Sequence, residues 1–221
     1  MAGTITALKF QKRNKNRVNV YLDEHYSFSL TSHLAVPLRR GQALSDKEIA
    51  YLKEQDEFYR VYERATKFIA HRPRSEAEVR RRMERQGVAP DLIEQVVEQL
   101  AAVGLINDAE FAQLWVENRE TFRPRSRRML RYELQQKGLD KETIVQVLEQ
   151  VDEQEDARRL ALQQGRRLSH LERTIFHKKL MGYLTRRGYS YELAHCAVRE
   201  AWQSLAENDD NGQESEEEEW M

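Results

Sequence analysis

Residues 72–100 (RPRSEAEVRRRMERQGVAPDLIEQVVEQL) align without a gap on residues 123–151 (RPRSRRMLRYELQQKGLDKETIVQVLEQV), and 11 of the 29 positions are identical. The identities include the opening Arg-Pro-Arg-Ser and the central glycine. The turn residues therefore recur together with the helices, and the two stretches read as copies of one supersecondary unit. A weaker third copy centres on Gly188, so that Gly87, Gly138 and Gly188 stand 51 and 50 positions apart. Eight positions before each glycine lies Val79, Leu130 or Leu180; four before lies Met83, Leu134 or Leu184; ten after lies Val97, Leu148 or Val198. A chain patterned in this way folds as a tandem array of like units rather than around one large core.

Each unit can be decoded from its punctuation. Ser75 caps a helix with Glu78 as its box partner, and Ser126 holds the same place in the second copy. The three glycines fall where a left-handed residue ends that helix cheaply. The next helix opens near Pro90, Asp140 or Ser190, proline being suited to the first helical position. A further helix precedes each pair: 58–71, then 108–121 opened by Asn107 and Glu110, then about 153–168. The first of these belongs to a longer run, because Ser45 and Glu48 form a capping box and Phe58, Tyr62, Ala65, Phe68 and Ile69 carry a stripe on to about His71. Residues 4–30 have a different period. Val18, Val20 and Leu22 alternate with polar residues, as do Tyr26, Phe28 and Leu30, which predicts a hairpin, with Ile5–Phe10 as a possible third strand.

The expected fold is all-α: three tandem three-helix repeats in an elongated array, with a small N-terminal β-hairpin element. The boundaries are 1–44 for the β element, 45–106, 107–152 and 153–206 for the repeats, and 207–221 for a disordered acidic tail. Composition agrees, since only 9 Gly and 4 Pro interrupt a chain rich in good helix formers.

The formal net charge of -1 conceals a segregation. Residues 207–221 hold eight of the 37 acids and none of the 36 Lys and Arg, which leaves residues 1–206 at +7. A cationic body with an anionic tail is typical of chains that handle polyanions, although such a tail can equally serve solubility alone. The cations cluster on the middle helix of each unit and its approach. The candidate contact residues are Arg72, Arg74, Arg81, Arg82 and Arg85; Arg123, Arg125, Arg127, Arg128 and Arg131; and Lys178, Lys179, Arg186 and Arg187. Arg80 belongs to the first group by position but can pair locally with Glu76, as Arg82 can with Glu78. The second group is harder to neutralise locally, because Arg123, Arg125, Arg127 and Arg128 fall within six residues that contain no acid. Repelling arginines of this kind call for an external anion, either phosphate or carboxylate. The cations alone do not choose between nucleic acid and an acidic protein face.

Other chemistries find little support. The six histidines are scattered without zinc-ligand spacing, and there is no phosphate-binding glycine loop or nucleophile elbow. No catalytic residues, cofactor or metal are expected. Trp115, Trp202, Phe58, Tyr59, Tyr62 and Phe68 lie at helical spacing and read as packing residues. One cysteine, Cys196, and no signal-peptide pattern point to a reducing, cytoplasmic setting. No apolar run is long enough to cross a membrane.

The segments RPRSEAEVRRRMERQGV (72–88), GLINDAEFA (104–112) and RPRSRRMLRYELQQKGL (123–139) resemble the RecX family of RecA regulators. In that family a serine-capped, arginine-rich helix ends at a Lys/Gln-Gly step. A Gly-Leu-x-x-Asp-x-x-Phe-Ala motif, here Gly104, Leu105, Asp108, Phe111 and Ala112, leads into the second unit. The resemblance covers about 58–203, with an N-terminal extension of the kind some members have; the acidic tail is outside its pattern. It implies a cytoplasmic, non-enzymatic protein, expected to be a monomer, that lies along the RecA–DNA filament. There it would restrain ATP hydrolysis, strand exchange and co-protease activity in recombinational repair and the SOS response. The alternative reading from the cations is a sequence-nonspecific protein that binds single- or double-stranded DNA directly.

Overall fold

A computed structural model describes residues 2–217, with side chains through 206, and divides the chain into two compact units, Met1–Ile106 and Asn107–Met221.

The first unit opens with an antiparallel sheet of strands β1 (Gly3–Phe10), β2 (Arg17–Leu22), β3 (His25–Thr31) and β4 (Ala43–Leu44), in the order β3-β2-β1-β4. The alternation read from the sequence is the pleat: Val18, Val20 and Leu22 are buried, as are Phe28 and Leu30, while the residues between them are more exposed; Tyr26, expected to continue the apolar face, is exposed instead, next to the register shift at Val20–Tyr21. Asp23 and Glu24 both adopt positive φ (48° and 68°), the geometry of a two-residue hairpin turn whose twist matches its strands. The sheet has four strands rather than two or three. β4 is a two-residue pairing of Ala43 and Leu44 with Thr4 and Gly3, too short to leave a period in the sequence.

A short helix α1 (Ser32–Ala35) leads to α2 (Asp46–Ala70), which opens at the Ser45–Glu48 capping box. At 25 residues α2 runs about 37 Å and serves two cores. Ile49 joins Ile5, Val20, Leu22, Phe28, Leu30 and Leu44 beneath the sheet. Val61 and Ala65 join Val79, Met83, Ile93, Val96, Val97, Leu100 and Ile106 against α3 (Glu76–Glu84) and α4 (Pro90–Ala102).

In the second unit α5 (Asp108–Phe122), α6 (Arg127–Lys137) and α7 (Lys141–Glu149) enclose Phe111, Val116, Leu130, Leu134, Ile144 and Leu148. Then α8 (Glu153–Gly165), a 3-10 turn at Arg166–Leu168, α9 (Arg173–Arg186) and α10 (Tyr191–Glu217) enclose Leu160, Phe176, Leu180, Leu184, Ala194 and Val198. Three groups of three helices thus recur as the sequence indicates, with Gly87, Gly138 and Gly188 at φ of 74°, 87° and 91°. Ser75 and Ser126 are fully buried, and their hydroxyls accept from the backbone N–H of Glu78 and Met129. The expected disordered tail at 207–221 lies outside the described side chains.

Candidate interaction surfaces

In the first repeat, burial of Val79 and Met83 turns Arg81, Arg82 and Arg85 outward. Arg74, at the approach to α3, sits over the Phe68 ring 3.9 Å from its centre, with Arg82 over the same ring at 5.7 Å. Together these residues line an open cleft of about 450 Å³ that also contains Glu78 and Glu84. Burial, then the charge of Arg72, and more weakly that of Arg82, hold the Arg74 pKa below its ordinary value against the opposing pull of Glu78. The buried Arg74 Nε has no hydrogen-bond partner among the described residues. Arg72 donates to Glu78 at 3.1 Å. Arg80 is a clamp between helices, taking Glu76 at 2.7 Å and Glu94 of α4 at 2.7 and 3.0 Å, and these carboxylates raise its pKa despite burial.

The second repeat has the same arginines and different neighbours. At the positions of Glu76, Glu78 and Glu94 stand Arg127, Met129 and Val145. The arginines aligned with Arg72 and Arg80 are Arg123 and Arg131, and both have lost the acid that engages their counterparts. Arg123, Arg128 and Arg131 are exposed, without a side-chain partner among the described residues. Arg127 is engaged internally. Its guanidinium donates to the Val151 carbonyl, through Nε at 3.0 Å and through Nη2, and its backbone N–H donates to Glu153 at 3.2 Å.

Arg125 is half-buried, 3.8 Å from Glu133, and belongs to a cluster that local sequence does not reveal. Glu133 accepts from Trp115 Nε1 at 2.9 Å and from Arg119 Nε at 2.7 Å. The cations of Arg119 and Lys137 lie 4.4 and 4.6 Å from the Trp115 ring centre. The partners are 14 and 18 residues apart on different helices, beyond the three- and four-residue spacing that signals contact within one helix. Trp115 also stacks on the core residue Phe111 at 5.8 Å, consistent with a packing role.

In the third repeat Lys178, Lys179 and Arg186 are exposed on α9 and line a groove of about 730 Å³ with Leu168, Ile175 and Tyr183. Arg187 instead packs over the Tyr183 ring at 3.8 Å, and its carbonyl accepts from Ser126 N–H at 3.1 Å. Each group of predicted cations is thus found on its own repeat. Among the described residues no group of three or more His, Cys, Asp or Glu is placed to hold a metal ion, and no helix is long and apolar enough to cross a membrane.

Comparison with known proteins gives these surfaces a family setting. Family profiles match in three segments: "Regulatory protein RecX N-terminal domain" over residues 3–42, "RecX, first three-helix domain" over 62–100 and "RecX, second three-helix domain" over 107–148. The "Regulatory protein RecX" of Listeria welshimeri is 32% identical over 206 residues, spanning 91% of this chain and 77% of that protein. The chain belongs to the RecX family. The RecX protein of Clostridium perfringens is 28% identical over 204 residues, 89% of this chain and 95% of its own length. Among solved structures, "Crystal structure of regulatory protein RecX" superposes with a TM-score of 0.70 at 24% identity, covering 90% of this chain and 99% of that one. "Crystal structure of RecX from Lactobacillus salivarius" superposes with a TM-score of 0.58 at 22% identity, covering 66% and 97%. These likenesses support the RecX fold. The first two arginine clusters fall at the ends and middle helices of the two RecX three-helix domains.

Proposed function

We propose that this RecX-family chain is a regulator that binds the RecA–DNA filament and restrains recombinase, ATPase and co-protease activity, with Arg123, Arg128 and Arg131 as its principal filament contacts. One observation supports this choice. An arginine scaffold repeated in two units keeps its internal acids in the first and loses them in the second. The first set serves folding. The second leaves cations that repel one another and gain energy only from an outside anion. Arg74, Arg81, Arg82 and Arg85 form a weaker surface on the first repeat, tempered by Glu78 and Glu84 in the same cleft. Contacts spread over repeats add through effective concentration and need no deep pocket. Inhibition follows if one filament state is bound more tightly than another.

The test compares the chain with R123E/R128E/R131E for binding to RecA-coated single-stranded DNA at moderate salt, with the same DNA uncoated as reference. Exposed charge pairs are worth up to about 1 kcal/mol each, so the triple reversal is expected to weaken filament binding by roughly a hundredfold. R127E serves as a control for folding: it removes the hold on Val151 and is expected to lower the unfolding midpoint. Unchanged filament affinity in the triple variant overturns the proposal. Equal binding to coated and uncoated DNA favours the direct DNA-binding alternative.

A further inference from the structure

Near the point where α2 passes from the core beneath the sheet to that of the first repeat, the packing leaves a cavity of about 440 Å³ within the first unit. One wall is formed by Tyr59, Tyr62, Glu63, Thr66 and Lys67, which share a face of α2. The facing wall is Asn16, just before β2, with Thr31, Ser32 and His33 at the passage from β3 into α1. The volume falls in the range of small-ligand sites, about 300–1,000 Å³. Tyr59, a packing residue by its spacing in the sequence, joins neither core and is 36% exposed. Its ring meets that of His33 edge-on at 4.2 Å. Tyr62 stacks on Phe58 at 6.0 Å, which fixes the plane of its ring.

The polar groups of the cavity divide into two sets. The Thr31 hydroxyl is spent on Asp56 at 2.6 Å, the Thr66 hydroxyl donates to the Tyr62 carbonyl at 2.9 Å, and Lys67 pairs with Glu63 at 2.7 Å. The Asn16 amide, the Ser32 hydroxyl and the Tyr62 hydroxyl make no hydrogen bond among the described residues. An amide and hydroxyls set around aromatic rings can read the edge of a flat heterocycle while the rings take its face.

The neighbouring chain supplies charge. Residues 1–22 contain five bases and no acid. Arg17 is engaged by Asp56, and Lys9 lies over the Tyr21 ring. The other three, Lys12, Arg13 and Lys15, stand exposed on the loop that ends at Asn16, without an acidic partner among the described residues. That loop is pinned: the Asn16 N–H donates to the Asn14 side chain at 3.0 Å, the Arg17 N–H to the Asn14 carbonyl at 3.1 Å, and the Ser32 N–H to the Asn16 carbonyl at 2.8 Å. Fixed cations thus stand beside an aromatic cavity. An acidic protein face would neutralise them and leave the rings and the amide without a role. A duplex would neutralise them too, but keeps its bases stacked out of reach. A single strand satisfies both features, with phosphates on the cations and a splayed base on the rings.

We propose that this cavity holds one unpaired base of a single-stranded nucleic acid, with His33, Tyr59 and Tyr62 against the base, Asn16 and Ser32 at its edge, and Lys12, Arg13 and Lys15 on the adjoining phosphates. The site lies wholly in the first unit. It requires neither RecA nor the second-repeat arginines, and so goes beyond the filament reading and stands apart from it.

The test titrates the full chain with a short fluorescent oligothymidylate and with an abasic strand of equal length, which keeps the phosphates and lacks the bases. The thymidylate is expected to bind at least about fivefold more tightly, the lower end of what stacking one base on aromatic side chains contributes. H33A/Y59A is expected to abolish that difference while leaving affinity for the abasic strand unchanged. K12E/R13E/K15E weakens both strands and lowers the slope of log affinity against log salt by about 2, three phosphates at about 0.7 each. An oligouridylate and its abasic counterpart extend the comparison to RNA: preference for the base in either series supports the site and names the sugar it takes. Equal affinity for base-bearing and abasic strands in both series overturns the proposal, as does a preference that survives H33A/Y59A, or a duplex that binds as tightly as the single strand. The unaltered chain gives a reading free of any folding defect in the variant. A strand bearing photoreactive iodouracil is expected to crosslink to His33, Tyr59 or Tyr62, and crosslinks confined to other residues overturn the proposal.

Discussion

Asp56 shows how a single polar residue can fix the join between sheet and helix. It sits in the middle of α2, 5% exposed, and accepts from Arg17 Nη1 at 2.7 Å and from the N–H and hydroxyl of Thr31 at 2.6 Å each. Taken alone it breaks the apolar stripe of α2. In place, it satisfies one end of β2 and one end of β3 at once. Asp56→Ala leaves the Arg17 guanidinium, itself largely buried, without its carboxylate. The expected cost is about 3–5 kcal/mol, read as a fall in the urea midpoint. Gly188 is a second such position. Its φ of 91° disfavours any side chain, and a β-carbon would collide with Met129 and Ser126 as well. Gly87 has the same backbone at 74° but open space around it. Gly87→Ala is therefore expected to cost about 1 kcal/mol and Gly188→Ala at least twice that in chemical denaturation. Equal losses would mean that the crowding at Gly188 relaxes freely.

Among the elements, α3 and α6 show how one pattern yields two surfaces. Both open on a buried serine cap and set their apolar residues four apart. Both follow Arg-Pro-Arg. Their difference lies in residues that neither cap nor pack, which is why the repeat is plain in sequence while the consequence for charge is not. Asp156 of α8 and Glu120 of α5 are acids of the second unit whose pKa burial raises. Asp156 is buried, and burial raises its pKa although Arg159 donates to it at 2.6 Å. Glu120 is raised as well, first by burial and then by Asp156. An acid with a raised pKa in the folded state favours folding while protonated, and that contribution is lost as pH rises through the raised value. The contributions of Asp156 and Glu120 are thus expected to decline on going upward from the ordinary carboxylate range, roughly pH 4, while His177, whose pKa burial lowers, adds stability as pH rises toward neutrality. Asp156→Asn, which cannot ionise, should remove its share of that decline in urea midpoints measured across the interval. A slope unchanged by the substitution would assign it elsewhere.

For the whole molecule, charge is the property that reaches beyond any one unit. Residues 1–206 carry +7, and the acids that offset it are concentrated in the last fifteen positions. Direct binding to DNA through six to ten phosphates loses about a thousandfold or more in affinity between 50 and 200 mM salt. Recognition of a protein-coated filament through fewer charge pairs should fall much less, and titration of both ligands over that interval distinguishes the two. The amino-acid sequence by itself determined the number of repeats, the helix ends at Ser75, Ser126 and the three glycines, and the strand alternation. These depend on backbone needs met within a few residues: a free N–H to cap, a left-handed turn to make, a face to bury. Only the tertiary structure decided which arginines are free. Arg80 meets Glu94, Arg119 meets Glu133, and Arg127 meets the Val151 carbonyl across helix pairs, so whether a guanidinium is neutralised depends on how helices pack and not on its neighbours in the chain.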